Sequence, residues 1–292
     1  MKPAPFTYHD PTTADEAVAL LATHEDAKIL AGGQSLMPML NMRFVVPDHV
    51  VDLNRIDGIA GVRDTGDSIE IGPMTRQRDL MRDGVIAAKA PIIPAALHWV
   101  GHFQTRNRGT IGGSLCHLDP AAELPCLMAL YDAELTVQGP DGARKVSFAE
   151  WPLAYMLPSI GPDELLTSVS VPHWGGNTGH GFVEFSRRHG DFAIVAAGAL
   201  LTVEGGKITR AAISIGGADV RPIRLTDAET ALVGAAPDAA ENKGAFKAAA
   251  EIARGIEAMS DAYVSSAYRQ RLAATLVERA LSAAAKNLNG SA

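Results

Sequence analysis

Between its glycine and proline punctuation the chain switches repeatedly between a three-to-four-residue and a two-residue hydrophobic period. Thr12 or Thr13 stands where it can cap an amphipathic helix from about Ala14 to Thr23, with Val18, Leu20 and Leu21 inward and Asp15 and Glu16 at the positive end. A short strand, Lys28 to Leu30, runs into Ala31-Gly32-Gly33-Gln34. Ser35 then opens a short helix over Leu36 to Leu40, ahead of a strand from His49 to Leu53. Alternation around Gly66-Asp67 predicts a hairpin between Gly61 and Gly72. Helical stretches follow at about Thr75 to Met81 and Val85 to Val100. The glycine-dense run Arg106 to Ser114 comes next, then a helix over Ala121 to Leu130 and strands over Ala133 to Val137 and Leu165 to Val171.

Turn formers from Pro172 to Gly179 interrupt every period, and a domain boundary is expected there, at about residue 175. Beyond it, Gly181 to Ser186 reads as a strand, and Ala193 to Val203 and Ile208 to Ile215 as a hairpin turning at Glu204-Gly205-Gly206-Lys207. The remainder is Ala-rich helix, with Tyr268, Leu272, Thr275, Leu276 and Arg279 at helical spacing between about Ser265 and Ala285.

Composition narrows the class. With 292 residues, 47% hydrophobic and 20% charged, the chain is globular and long enough that two domains are expected. A formal net charge of -7 creates no general field for phosphate backbones, so no nucleic-acid partner is expected. No uncharged apolar run is long enough to span a bilayer, and no apolar core follows a basic start at the N-terminus, so neither a membrane span nor a signal peptide is expected. Cys116 and Cys126 form neither a C-x-x-C pair nor a disulfide framework; buried free thiols in a reducing cytoplasm are the expectation.

The chemistry concentrates in two glycine turns, Ala31-Gly32-Gly33-Gln34-Ser35 and Thr110-Ile111-Gly112-Gly113-Ser114. Without a Cβ, such turns let backbone N–H groups converge on an anion, so a facing pair can hold a diphosphate without a lysine. Neither common phosphate loop is present. Arg106 and Arg108 stand where they can add positive charge or simply be solvated. Asp119 and Glu123 can accept from a ribose or adenine, or serve as helix N-terminal charge. His98 and His102 share one face if they lie on one helix, but no third ligand is near in sequence. Phe192, at the entry to a strand, can project toward the first domain or fill a core.

The segment RNRGTIGGSLCHLDPAAELP (Arg106 to Pro125), with Ala31 to Ser35, Arg188-His189-Gly190-Asp191-Phe192-Ala193 and the closing helix from Ser265 to Leu281, resembles the FAD-binding medium subunit of the molybdenum hydroxylases, the carbon monoxide dehydrogenase and xanthine dehydrogenase flavoprotein family. The resemblance covers nearly the whole chain. It implies an α+β fold: a two-subdomain FAD-binding domain of the vanillyl-alcohol oxidase (PCMH) type over residues 1–175 (subdomains about 1–55 and 56–175), then a smaller domain over 176–292 with a three-stranded antiparallel sheet and helices.

By the same resemblance, FAD is contacted by Leu30, Ala31, Gly32, Gly33, Gln34, Ser35 and Leu36 and by Thr110, Ile111, Gly112, Gly113 and Ser114. Glu123 falls on the adenosine side, and Leu166 and Phe192 border the isoalloxazine. No side-chain acid or base is expected. The partners implied are a large molybdenum-cofactor subunit, where substrate is hydroxylated, and a small 2Fe-2S subunit, in a heterotrimer usually paired into a dimer of heterotrimers. Electrons would leave through FAD to an external acceptor. Two cysteines are too few to ligate even one Cys₄ cluster in this chain. Gln34 replaces a histidine that carbon monoxide dehydrogenases tend to show, which argues mildly against that substrate; N-heteroaromatics, purines, aldehydes and carbon monoxide all remain open as substrate classes. The competing readings are a self-sufficient flavoprotein oxidoreductase of the same fold and a non-redox nucleotide-binding scaffold.

Overall fold

The computed structural model describes residues 1–237 and 243–288. The chain opens with β1 (Thr7–His9), α1 (Ala14–Thr23), β2 (Ala27–Leu30), α2 (Leu36–Asn41) and β3 (His49–Asp52). The three strands form a parallel sheet in the order β1-β3-β2. Helix α1 has the expected bounds because Thr13 and Glu16 form a reciprocal capping box.

A second layer holds β4 (Val62–Asp64), β5 (Ser68–Ile71), α3 (Gln77–Leu80), α4 (Gly84–Lys89), α5 (Ile92–Leu97), α6 (Phe103–Arg108), α7 (Ile111–His117) and α8 (Glu123–Tyr131). It is completed by β6 (Glu134–Gly139), β7 (Gly142–Ser147), β8 (Pro152–Ala154), β9 (Leu157–Pro158) and β10 (Leu165–Pro172). Its antiparallel sheet runs β4-β5-β10-β6-β7. The central strand β10 joins two cores: Leu165 packs with Ala17, Val18 and Leu21 of α1, whereas Val169 and Val171 pack with α5 and α8.

The helix predicted over Val85 to Val100 is two helices. Ala90, immediately before Pro91, has φ -141° and ψ 53°, because the proline ring crowds the helical conformation of the residue ahead of it. A second interruption, at residues 99–101, separates His98, at the C-cap of α5, from His102, at the N-cap of α6, so they share no helix face.

The third layer contains β11 (Thr178–Phe185), β12 (Val195–Glu204), β13 (Lys207–Gly216), β14 (Ile223–Arg224), α9 (Thr226–Leu232), α10 (Lys243–Arg254) and α11 (Ser266–Asn287). Three long antiparallel strands carry the sheet, and the two-residue β14 extends its edge. Strand β12 is buried on both faces. Ala196 and Leu200 enter the same core as α8, while Ala197, Ala199 and Leu201 enter the core of α10 and α11. The buried Arg269 of α11 donates to the carbonyls of Ile194 and Gly217, both at 2.6 Å, and to Asp261, holding the start of β12 against α11. Among the described residues no helix is long and apolar enough to cross a membrane.

Candidate functional site

Strand β2 ends at Leu30 and delivers the chain into the first glycine turn. Gly33 has φ +71°, a left-handed conformation that favours glycine. Gln34 donates its side-chain amide to the Gly32 carbonyl at 3.1 Å, and Gly33 accepts from the Met37 amide at 3.1 Å. The backbone N–H groups of Gly32, Gly33, Gln34 and Ser35 find no acceptor among the described residues, and Ser35 makes no side-chain capping bond. Unpaired backbone amides gathered at a turn form an anion cradle.

The second glycine segment corrects the expectation of a matching turn. Gly112 and Gly113 lie in the first turn of α7, whose N-cap is Thr110. The Gly113 amide donates to the Thr110 hydroxyl at 3.0 Å, and the Gly112 amide to the Pro73 carbonyl at 2.8 Å. These two donors are committed within the protein, so the glycines serve close approach: a Cβ on Gly112 would stand 2.5 Å from the Cβ of Pro73. The two segments are therefore unequal, the first presenting amides and the second a wall without side chains.

Two residues that sequence reasoning did not single out hold the segments together. Asn54 donates its side-chain amide to the Ala31 carbonyl at 3.0 Å, and Arg76 donates both to the Asn54 side-chain oxygen and to the Arg108 carbonyl. Neither sits in a motif; only the folded chain brings position 54, just beyond β3, against position 76, at the start of α3. Neither open reading of Arg106, charge for an anion or a solvated side chain, describes its place. Its guanidinium donates to the carbonyls of Val100 and Gly101 at 2.6 and 3.2 Å and so fixes the preceding loop.

These elements frame a cleft of about 730 Å³ that runs from the first glycine turn, past α7, to the Gly190-Asp191-Phe192 loop of the third layer. Every predicted contact residue lines it except Leu30 and Ile111. Leu30 is the last residue of β2, and Ile111 is fully buried in the core. Leu166 is buried in the cleft wall, and Phe192 is 63% exposed at its edge, a position at odds with a core role. Glu123 opens α8 and is buried. Loss of solvent, reinforced by the charge of Asp119, pushes its carboxyl up to about 7. Asp119 accepts from the Ala121 amide at 2.9 Å ahead of α8. Cys116 and Cys126 are free thiols, both pushed up to about 12 by burial; Cys116 is half-buried and lines the cleft, and Cys126 is buried.

Residues 4–174 match the family described as the FAD binding domain in molybdopterin dehydrogenase, and residues 180–284 match the CO dehydrogenase flavoprotein C-terminal domain. The chain belongs to this flavoprotein family. Within it, the chain is 41% identical to the 6-hydroxypseudooxynicotine dehydrogenase complex subunit alpha of Paenarthrobacter nicotinovorans, over 97% of this chain and 96% of that one. It is 37% identical to the carbon monoxide dehydrogenase medium chain of Afipia carboxidovorans, covering 96% and 97% of the two chains.

Among solved structures, carbon monoxide dehydrogenase from Hydrogenophaga pseudoflava superposes with a TM-score of 0.94 at 35% identity, covering 98% of this chain and 99% of that one. Quinoline 2-oxidoreductase from Pseudomonas putida 86 superposes with a TM-score of 0.92 at 34% identity, covering 99% of each chain. The family's cofactor, FAD, fits the cleft on physical grounds. Four amides with no acceptor among the described residues suit a diphosphate, and the apolar side chains of Leu166 and Phe192 in the lining suit a planar ring.

Proposed function

We propose that this chain is the electron-exit subunit of a molybdenum-containing hydroxylase, working with a large molybdenum-cofactor subunit and a small 2Fe-2S subunit in a heterotrimer that pairs into a dimer. The observation that carries the reading is the cleft itself, with its open amides at Gly32 to Ser35 and its apolar end at Leu166 and Phe192. FAD, when bound, relays electrons between carriers, and the protein supplies position and electrostatics.

Each residue then has a physical task. The Gly32 to Ser35 amides hold the diphosphate, and Gly112 and Gly113 admit it without a side chain in the way. Glu123 accepts from a hydroxyl on the adenosine side. Leu166 excludes water from one side of the ring, and exposed Phe192 shields its edge. Asn54 and Arg76 are positioning residues that set the distance between the two glycine segments. The FAD-binding unit is residues 1–175, in subdomains of about 1–55 and 56–175, and the C-terminal unit is 176–292; the change of sheet between β10 and β11 supports that division. The named activities of the relatives on 6-hydroxypseudooxynicotine and quinoline support an N-heteroaromatic or related nitrogenous substrate for the large subunit, with electrons passing to an external acceptor.

The test is purification of the chain with its native partners, followed by an absorption spectrum, identification of the released flavin and assay for Mo and Fe. FAD on this chain with Mo and Fe on co-purifying chains is the expected result. FAD on a chain that turns over substrate with no metal-bearing partner would overturn the reading.

A further inference from the structure

Away from the cleft, three imidazoles meet on the N-terminal layer. His9 ends β1, His49 begins β3 and His24 is the C-cap of α1. The Nε2 of His9 and the Nδ1 of His49 are 3.0 Å apart, and the rings of His24 and His49 stack with centroids 3.8 Å apart and planes 14° from parallel. One ring nitrogen from each histidine lies within 4.8 Å of the other two, and all three residues are half-buried.

The contact between His9 and His49 joins two ring nitrogens, so one must be a lone pair and the other an N–H. A proton therefore occupies the place between them. A tetrahedral transition-metal ion with Zn–N bonds of about 2.0–2.1 Å separates its ligand nitrogens by about 3.3 Å. Exchange of that proton for an ion thus needs only a small widening of the His9 to His49 pair. His24, at a helix end, completes the third side by turning its ring out of the stack.

The donor set selects the ion. Three imidazoles with neither a carboxylate nor a thiolate in the group suit Zn²⁺ and its first-row neighbours Co²⁺, Ni²⁺ and Cu²⁺, whereas Ca²⁺ and Mg²⁺ require oxygen ligands. Asp10, beside His9, is engaged by Arg55 at 2.6 Å, and among the described residues no carboxylate, Glu25, Asp26 and Asp48 included, joins the group. That leaves a fourth position to water.

We propose that His9, His24 and His49 form a binding site for a divalent first-row transition-metal ion of the zinc class, which clips the edge strand β1 and the end of α1 to β3. The site is independent of the FAD reading. Strand β1 pairs with β3 through Thr7, Tyr8 and His9, so an ion held by His9 and His49 adds a tie across a short ladder. An ion bound to three elements of the folded layer stabilises it by mass action, since the unfolded chain offers no preformed site.

The test is equilibrium dialysis of the full-length chain, free of any oligohistidine tag, against Zn²⁺, with elemental analysis and thermal unfolding. His24→Ala and His49→Ala are compared with the unaltered protein, and a Co²⁺ difference spectrum reports the geometry. One zinc per chain, tetrahedral Co²⁺ bands and a zinc-dependent rise in Tm are expected, with zinc binding at least tenfold weaker in both variants. No zinc above the buffer control, or one equivalent that survives His24→Ala, overturns the proposal. Should His49→Ala fail to fold, His24→Ala decides alone, because His24 lies outside the sheet ladder.

Discussion

Gly32 meets the backbone of Arg108 so closely that a Cβ on the glycine would lie 2.4 Å from the Arg108 carbonyl oxygen and 2.9 Å from the Cα of Gly109. Both obstacles are backbone, so neither can swing aside. Gly32→Ala is expected to separate the two glycine segments, lower stability by about 1–3 kcal/mol and leave the purified chain without FAD. Gly84→Ala is the matched control. Among the described residues, nothing beyond its own helix and chain neighbours lies within 4 Å of its added Cβ, and the position opens α4, so FAD content should be unchanged and stability equal or slightly higher. Flavin content and thermal unfolding of both variants check the contrast; full flavin loading of Gly32→Ala would refute it.

Arg76 bridges the same two segments by donating to Asn54 and to the Arg108 carbonyl. Lysine keeps the charge but lacks the fork that reaches both acceptors. Arg76→Lys and Asn54→Ala should therefore each weaken FAD binding by roughly tenfold, and the double variant should lose less than the sum because both substitutions break one network. Fluorescence titration of flavin into the apoprotein measures this, with strict additivity as the contrary outcome.

Much of this arrangement was legible in the residues because local chemistry agrees with the fold. The capping box of Thr13 and Glu16 starts α1 where the pattern places it, and the apolar runs around Glu204 to Lys207 form the hairpin of β12 and β13. Strand β7 carries no hydrophobic alternation, because only Val146 of its six residues is buried. The twin glycine turns misled for a different reason. A Gly-Gly pair usually breaks a helix, but here Thr110 capping and the close approach of Pro73 hold Gly112 and Gly113 inside one. Asn54, Arg76 and the three clustered histidines carry no local signal, since each acts only across distant strands and helices.

Glu123 combines burial with a place in the cleft, and its carboxyl is pushed up to about 7. Bound to a hydroxyl donor, the ionised form is the useful one, so FAD affinity should rise as pH increases from 6 to 8 and then level off. A hydrogen bond to a charged group contributes about 1.5–3 kcal/mol. Glu123→Gln should accordingly weaken FAD roughly tenfold or more at pH 8 and flatten the pH dependence. Flavin dissociation constants across that range are the measurement, and an unaltered pH profile in the variant would remove Glu123 from the site.

Glu184 on β11 is buried, with no hydrogen-bond partner for either carboxyl oxygen among the described residues, and loss of solvent, with the charge of Glu123 adding to it, raises its pKa to about 8. The folded protein thus holds this proton more tightly than the unfolded chain, whose Glu titrates near 4.5. The sign follows from linkage: the stability associated with the neutral group is fully present below the unfolded value and is lost as pH rises through about 8. Glu184→Gln removes the ionisation while keeping the shape. Its Tm should match that of the unaltered protein at pH 5 and exceed it by several degrees at pH 8.5, a difference of roughly 1–3 kcal/mol. Thermal unfolding at the two pH values tests the claim. An equal Tm difference at both would mean that Glu184 stays ionised in the folded protein, and that a partner for its carboxylate has to be sought between β11 and α8.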